Sequence, residues 1–135
     1  NYDANGFRLP TEAEWEFCCK GGTNSDYSGT GILDEMGWYN KNSGYLVQLS
    51  GKKNSNDFGI FDMHGNVSEW CWDWYDENYY SNSPEQNPLG PALGTRRVVR
   101  GGSSADGMDY ARSSSRNFNH ETAEFVGIRV VRNKE

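Results

Sequence analysis

Between Val67 and Tyr75 the chain sets Trp70, Trp72 and Trp74 in alternation with Cys71, Asp73 and Tyr75. Successive side chains of a strand point to opposite faces, so a two-residue period places all three indoles on one side of an extended segment. A helix would scatter them. The segment is read as a strand whose indoles line the core, a sugar-stacking face being the alternative. A sheet is therefore required, and the rest of the chain must supply its partners within short runs. Arg97–Arg100 is one such run, ended by Gly101 and Gly102; Arg112 to Arg116 and Gly127 to Arg132 are two more, the last with its arginines outward.

One helix is legible, at about 11–20. Thr11 is an N-cap, Glu14 three residues on completes a capping box, and Pro10 enforces an extended entry. Trp15 meets Cys18 or Cys19 at helical spacing, Lys20 suits the C-terminal dipole, and Gly21-Gly22 stops the helix. Thr23 to Asn56 reads as a structured loop anchored by Trp38, Tyr39, Leu46 and Val47. Asp76 to Gly94 reads as a crossing loop holding Pro84, Pro88 and Pro91. The class is α+β, loop-rich, with short antiparallel strands and one clear helix.

At 135 residues one domain fits. Apolar residues make up 35%, but five Trp, eight Tyr and six Phe predict a core built from aromatics. The net charge is −6, and the only basic cluster, Arg96, Arg97 and Arg100, reads as a solvated or ion-paired face, which argues against nucleic acid. No apolar run is long enough to span a membrane. Cys18, Cys19 and Cys71 lack metal or disulfide spacing and read as buried thiols acting as small hydrophobes.

Five motifs then fall in order: Gly6-Phe7-Arg8-Leu9-Pro10-Thr11-Glu12-Ala13-Glu14-Trp15-Glu16; Gly59-Ile60-Phe61-Asp62-Met63-His64-Gly65-Asn66-Val67-Ser68-Glu69-Trp70; Arg97-Val98-Val99-Arg100-Gly101-Gly102-Ser103; Arg112-Ser113-Ser114-Ser115-Arg116; and Gly127-Ile128-Arg129-Val130-Val131. Together they resemble the formylglycine-generating-enzyme, or sulfatase-modifying-factor, domain, which implies a C-type-lectin-like fold. The first motif lies mid-domain in that family. Residues 1–135 are thus expected to form the C-terminal part of such a domain, with another segment as the partner that completes the N-terminal part.

The family's oxidase chemistry uses two cysteines between the Gly-Gly-Ser strand and the Arg-x-x-x-Arg motif. Here residues 104–111 contain no Cys, and Asp106 falls where the first would fall. A thiolate binds soft copper and attacks disulfides; a carboxylate does neither. Iron-dependent relatives need a His-rich site, and this chain has only His64 and His120. A structural Ca²⁺ is implied by the resemblance, on the side chains of Asp62 and Glu69 and the carbonyls of Gly65 and Val67. Hard oxygens suit that ion, and Asp62 stands where the family has a neutral amide.

The C-terminal position of these motifs also resembles the variable proteins of diversity-generating retroelements, in which adenine mutagenesis diversifies surface residues. Ser104, Ala105, Asp106, Asp109, Tyr110, Asn117, Phe118, Asn119 and His120 all lie in the set reachable from an adenine-rich Asn codon, which leaves out Met, Glu, Gln, Lys and Trp. Loops carrying Tyr, Phe, Ser, Asp and Asn are also the chemistry of adaptable recognition. The reading is a non-catalytic binding or display protein with its surface at 103–128, a protein or other macromolecule as ligand, and a cell-surface or secreted location. The alternatives are a formylglycine-forming oxidoreductase with an unusual thiol arrangement and an accessory interaction domain without variation.

Overall fold

The computed structural model describes residues 6–119 and 124–132. The helix, α1 (Glu12–Lys20), starts as the capping box dictates. Thr11 Oγ1 accepts the Glu14 N–H at 3.2 Å, and Glu14 Oε2 accepts the Thr11 N–H at 2.8 Å. Gly21 ends the helix in the left-handed region at φ 55°, its N–H donating to Phe17 O. Glu12, Trp15 and Cys19 form the buried face.

The strands are β1 (Phe7–Arg8), β2 (Gly37–Trp38), β3 (His64–Gly65), β4 (Ser68–Trp74), β5 (Arg97–Arg100), β6 (Asn117–Asn119), β7 (Val126–Gly127) and β8 (Val131–Arg132). The main sheet has the order β6-β5-β4-β7, flanked by the pairs β1-β8 and β2-β3. Antiparallel pairing joins β4 to β5, β5 to β6 and β1 to β8, whereas β4-β7 and β2-β3 are parallel, so the sheet is mixed. A one-turn helix, α2 (Leu33–Met36), leads into β2. The β2-β3 pair requires glycine: a Cβ on Gly37 would meet His64 O at 1.9 Å, and one on Gly65 would meet Trp38 O at 1.9 Å.

The Trp strand forms, but with its faces reversed from expectation. Glu69, Cys71 and Asp73 are buried, while Trp70, Trp72 and Trp74 are only half-buried. Helix α1 decides this, because it lies against the first set: Trp15 Nε1 donates to Glu69 at 2.7 Å, and the Glu12 N–H donates to Asp73 at 2.7 Å. Donors at hand lower the cost of burying a carboxylate: Glu69 is bonded through both oxygens, Asp73 through one. Periodicity identifies two faces without saying which one a helix covers.

The core is correspondingly less aromatic than the composition suggests. One cluster is Trp15, Cys19, Met63, Cys71 and Val98; a second is Leu33, Tyr39 and Ala111. Leu46 and Val47 are exposed and anchor nothing, whereas Tyr39 does. Asn56 does much of that work: its Nδ2 donates to Cys18 O at 2.7 Å and its Oδ1 accepts from the Phe58 and Ile60 amides at 3.1 Å.

Residues 112–116 are not a strand. Met108–Ala111 forms a 3-10 turn, the Ser115 N–H closes a further turn on Arg112 O, and extended structure resumes only at β6. The Ser113 and Ser115 carbonyls are taken by the Arg100 guanidinium instead of by a neighbouring strand. The C-terminal run likewise splits into β7 and β8. Between them Arg129 turns inward onto Glu69, contrary to the outward arginines expected, whereas Arg132 is exposed.

Candidate functional site

The segment 103–119 rests on a buried charged frame. Arg100 is 1% exposed and pairs with Glu12, at 3.1 Å, and with Glu16. Arg116 holds the other side of Glu12 at 2.7 and 2.9 Å. Arg100 is therefore ion-paired, as the basic cluster implied, but inside the protein. His64 sits beside this frame, its Nε2 accepting the Ser28 N–H at 3.0 Å, so Nδ1 carries the proton it gives to Ala111 O at 2.8 Å. Burial lowers its pKa, which favours that neutral form.

From this frame the sequence-predicted recognition residues part into two groups. Gly101 and Gly102, both with positive φ, turn the chain inward, and Ser104 ends fully buried, which corrects its place on the surface. Its N–H donates to Asn66 O at 2.8 Å, its carbonyl accepts from Ser43 Oγ at 2.6 Å, and its own Oγ is buried without a partner. Ala105 and Asp106 are half-buried; Asp109 and Tyr110 are exposed on the 3-10 turn. The Asn40 N–H donates to Asp106 O at 3.0 Å and Tyr27 Oη to Met108 O at 3.1 Å, so this group is tied to the 26–43 loop.

The second group is β6. Asn117 is exposed, Phe118 and Asn119 are half-buried, and the strand pairs with β5 as Val98↔Phe118. As the outer strand of the sheet, β6 has a self-capped edge, with Asn117 Oδ1 accepting the Phe118 N–H at 2.9 Å. His120 lies outside the described residues, so the His64–His120 comparison does too.

Asp106, standing where the family's first cysteine would fall, is a turn residue. Its Oδ2 accepts from Ser103 N at 2.9 Å and Ser103 Oγ at 2.7 Å. The three thiols lie elsewhere and are free. Burial pushes Cys19 up to about 12 and raises Cys71 well above the ordinary thiol value; Cys18, half-buried, is raised as well. Protonated thiols are poor nucleophiles and poor ligands for a soft metal.

Of the implied calcium donors Asp62, Val67 and Glu69, but not Gly65, line a groove of about 580 Å³ shared with Asn66, Ile128 and Arg129. Asp62, at φ 59°, uses Oδ2 to accept the Gly51 N–H at 2.8 Å, while its Oδ1 is buried with no partner. Glu69 accepts from Trp15 Nε1 and, at 2.8 Å on each oxygen, from Arg129. A carboxylate offers about four lone-pair sites, so one remains on Oε1. Asp62 Oδ1 and Glu69 Oε1 are oxygens of the kind a hard cation takes, and Arg129 already neutralises Glu69.

The sequence reading missed Arg129 as the partner of Glu69 and missed Asp73. Asp73 is buried, its Oδ1 has no partner, and burial raises it to about 6. Alternation with the tryptophans was the available signal: it put Asp73 on one face with Glu69 and Cys71.

A domain model described as sulfatase-modifying factor enzyme 1-like matches residues 2–134. Among curated proteins the chain is 33% identical over 156 residues to a chaperone protein LppX of Paenibacillus barcinonensis, covering 99% of the chain and 52% of that protein. It is 38% identical over 113 residues to the formylglycine-generating enzyme of Streptomyces coelicolor, covering 73% and 36%. Among solved structures, Treponema denticola variable protein 1 superposes with a TM-score of 0.89 at 41% identity, covering 96% of the chain and 49% of that protein. The chain thus spans about half or less of the length of each of these relatives. The fold is α+β and C-type-lectin-like, as expected. On the strength of the match over residues 2–134, the chain belongs to the sulfatase-modifying factor enzyme 1-like, or formylglycine-generating-enzyme-type, domain family.

Proposed function

We propose that the chain is a non-catalytic binding protein that presents recognition residues from the 103–128 segment on a rigid buried frame. The observation that carries this reading is the likeness to Treponema denticola variable protein 1, joined to a 104–111 interval without a thiol. Ala105, Asp106, Asp109, Tyr110, Asn117, Phe118 and Asn119 are the contact residues; Ser104 is part of the frame. Loops held by a fixed scaffold can vary without loss of fold. The ligand is a protein or other macromolecule, and a cell-surface or secreted location belongs to the same proposal. A segment completing the N-terminal part of the fold is proposed as partner, covering exposed Phe7, Phe17, Ile128 and Val130.

The test is a display library randomised at Asp109, Tyr110, Asn117 and Asn119, beside one randomised at Arg100, Gly102 and Ala111. The first is expected to keep folded, protease-resistant display in most clones, and the second to lose it. Equal losses in both would remove the reading. Oxidation of a cysteine in a sulfatase-type peptide, with copper supplied, should not exceed background. Turnover that disappears on Cys71→Ser would restore the enzyme alternative.

Calcium is the proposed cofactor, held by Asp62, Glu69 and the Gly65 and Val67 carbonyls, and supported by the orphaned Asp62 Oδ1. Free Ca²⁺ at about 100 times its Kd adds roughly 2.7 kcal/mol to stability. Chelation is therefore expected to lower Tm in the native chain and not in Asp62→Asn-Glu69→Gln. Identical melting with and without chelator would exclude the site.

A further inference from the structure

Arg96 stands just before β5 and, by strand alternation, on the same face as Val98. Its guanidinium lies 3.9 Å from the ring centroid of Phe118 and 6.0 Å from that of Tyr75, and the two rings are themselves 4.7 Å apart. The sheet fixes all three. Val98 pairs with Phe118, and the Tyr75 N–H donates to Arg96 O at 2.8 Å.

The neighbouring cations are engaged. Arg8, Arg100, Arg116 and Arg129 each hold a carboxylate, and Arg97 donates to Trp72 O. Arg96 is half-buried and is the exception: its guanidinium makes no hydrogen bond or ion pair among the described residues. In a chain with 13 Lys and Arg against 19 Asp and Glu, this cation has no acid to serve among the described residues.

The Phe118 ring covers one side of the guanidinium and braces it, while none of its N–H groups has a partner among the described residues. A planar fork so held matches a carboxylate through two parallel hydrogen bonds, with little rotamer entropy left to lose. A phosphate would call for a second uncommitted cation: the adjacent Arg97 points to the other face, 3.6 Å over Trp74, and Arg116, 5.2 Å from the Tyr75 ring, is already held by Glu12. Arginine and tyrosine are also the side chains on which binding energy concentrates.

We propose that Arg96, braced by Phe118 and Tyr75, is the anchor for a single carboxylate of the protein partner, an Asp or Glu side chain. This rests on 117–119 being recognition surface. The test titrates ¹⁵N-labelled protein with N-acetylglutamate methylamide and, separately, with its glutamine counterpart. Saturable shifts of the Arg96 Nε–Hε and Phe118 amide signals are expected with the acid alone, several-fold weaker in Arg96→Lys and Phe118→Leu and absent in Arg96→Gln. The same spectra report whether each variant is folded. Equal responses to acid and amide, or an undiminished response in Arg96→Gln, would overturn the proposal. So would a response seen only after Glu121→Gln, since the chain's own acid would then hold Arg96. The display libraries leave Arg96 untouched, so failure here is distinguishable from failure of the binding reading.

Discussion

Asp73 is the residue at which burial and charge conflict most openly. It is 1% exposed, accepts one hydrogen bond from the Glu12 amide, and is raised to about 6 by desolvation first, with Glu12 adding to the rise and Arg116 opposing it. The folded state therefore binds this proton more readily than the unfolded chain, whose Asp titrates near 3.8. Its charged form weighs against folding above about pH 6, and that burden is relieved as pH falls toward 4. His64, lowered by burial, works the other way below its ordinary value. Asp73→Asn keeps an acceptor for the Glu12 amide and removes the charge. Urea midpoints at pH 7, 6 and 5 are expected to show the variant losing its advantage over the native chain, by at most roughly 3 kcal/mol at about 1.4 kcal/mol per pKa unit. Parallel profiles would show that Asp73 does not titrate in this window. A second residue-scale expectation concerns the thiols. At pH 8 the native chain should alkylate slowly at Cys18 and not at Cys19 or Cys71, while all three react in denaturant, as mass spectrometry would report.

At the scale of elements, α1 was readable because its signals are local. Thr11, Glu14 and Gly21 act within a few residues of one another, and each does in space what its position implies. Thr11→Ala is expected to cost about 1 kcal/mol by loss of the cap, with Thr11→Ser close to neutral, as thermal melts would show. The Trp strand was readable as a strand for the same reason, but its inner face was not. The choice depends on α1 delivering Trp15 and the Glu12 amide to Glu69 and Asp73, 54 and 61 residues away. The missed turn at 112–116 has a similar cause: Arg100 claims carbonyls from a segment that looks extended by composition. Alternating arginines near the C-terminus gave no sign that Arg129 would pair with Glu69, since the ion pair closes across β4 and β7. The exposure of Asp109, Tyr110 and Asn117 was legible in the polar, turn-rich composition of their segment, while the burial of Ser104 depended on two left-handed glycines acting together.

Over the whole molecule, a buried web of charge replaces part of the usual apolar core. Glu12, Arg100, Glu69 and Asp73 are all buried and tie α1 to both central strands. Breaking such a web by removing one partner is expected to be severe, roughly 3–5 kcal/mol for Arg100→Ala, because Glu12 would lose a counter-ion inside the protein. At the periphery, exposed Asn117 guards one edge of the described sheet. Its side chain occupies the amide of Phe118 at the last strand of the sheet. An unguarded strand edge is a template on which another copy can grow. Asn117→Ala, harmless to a monomer's packing, is expected to sediment increasingly as dimers and larger species with concentration, whereas Asn117→Asp stays monomeric. Solubility, as much as ligand fit, would then decide which residues this position can carry.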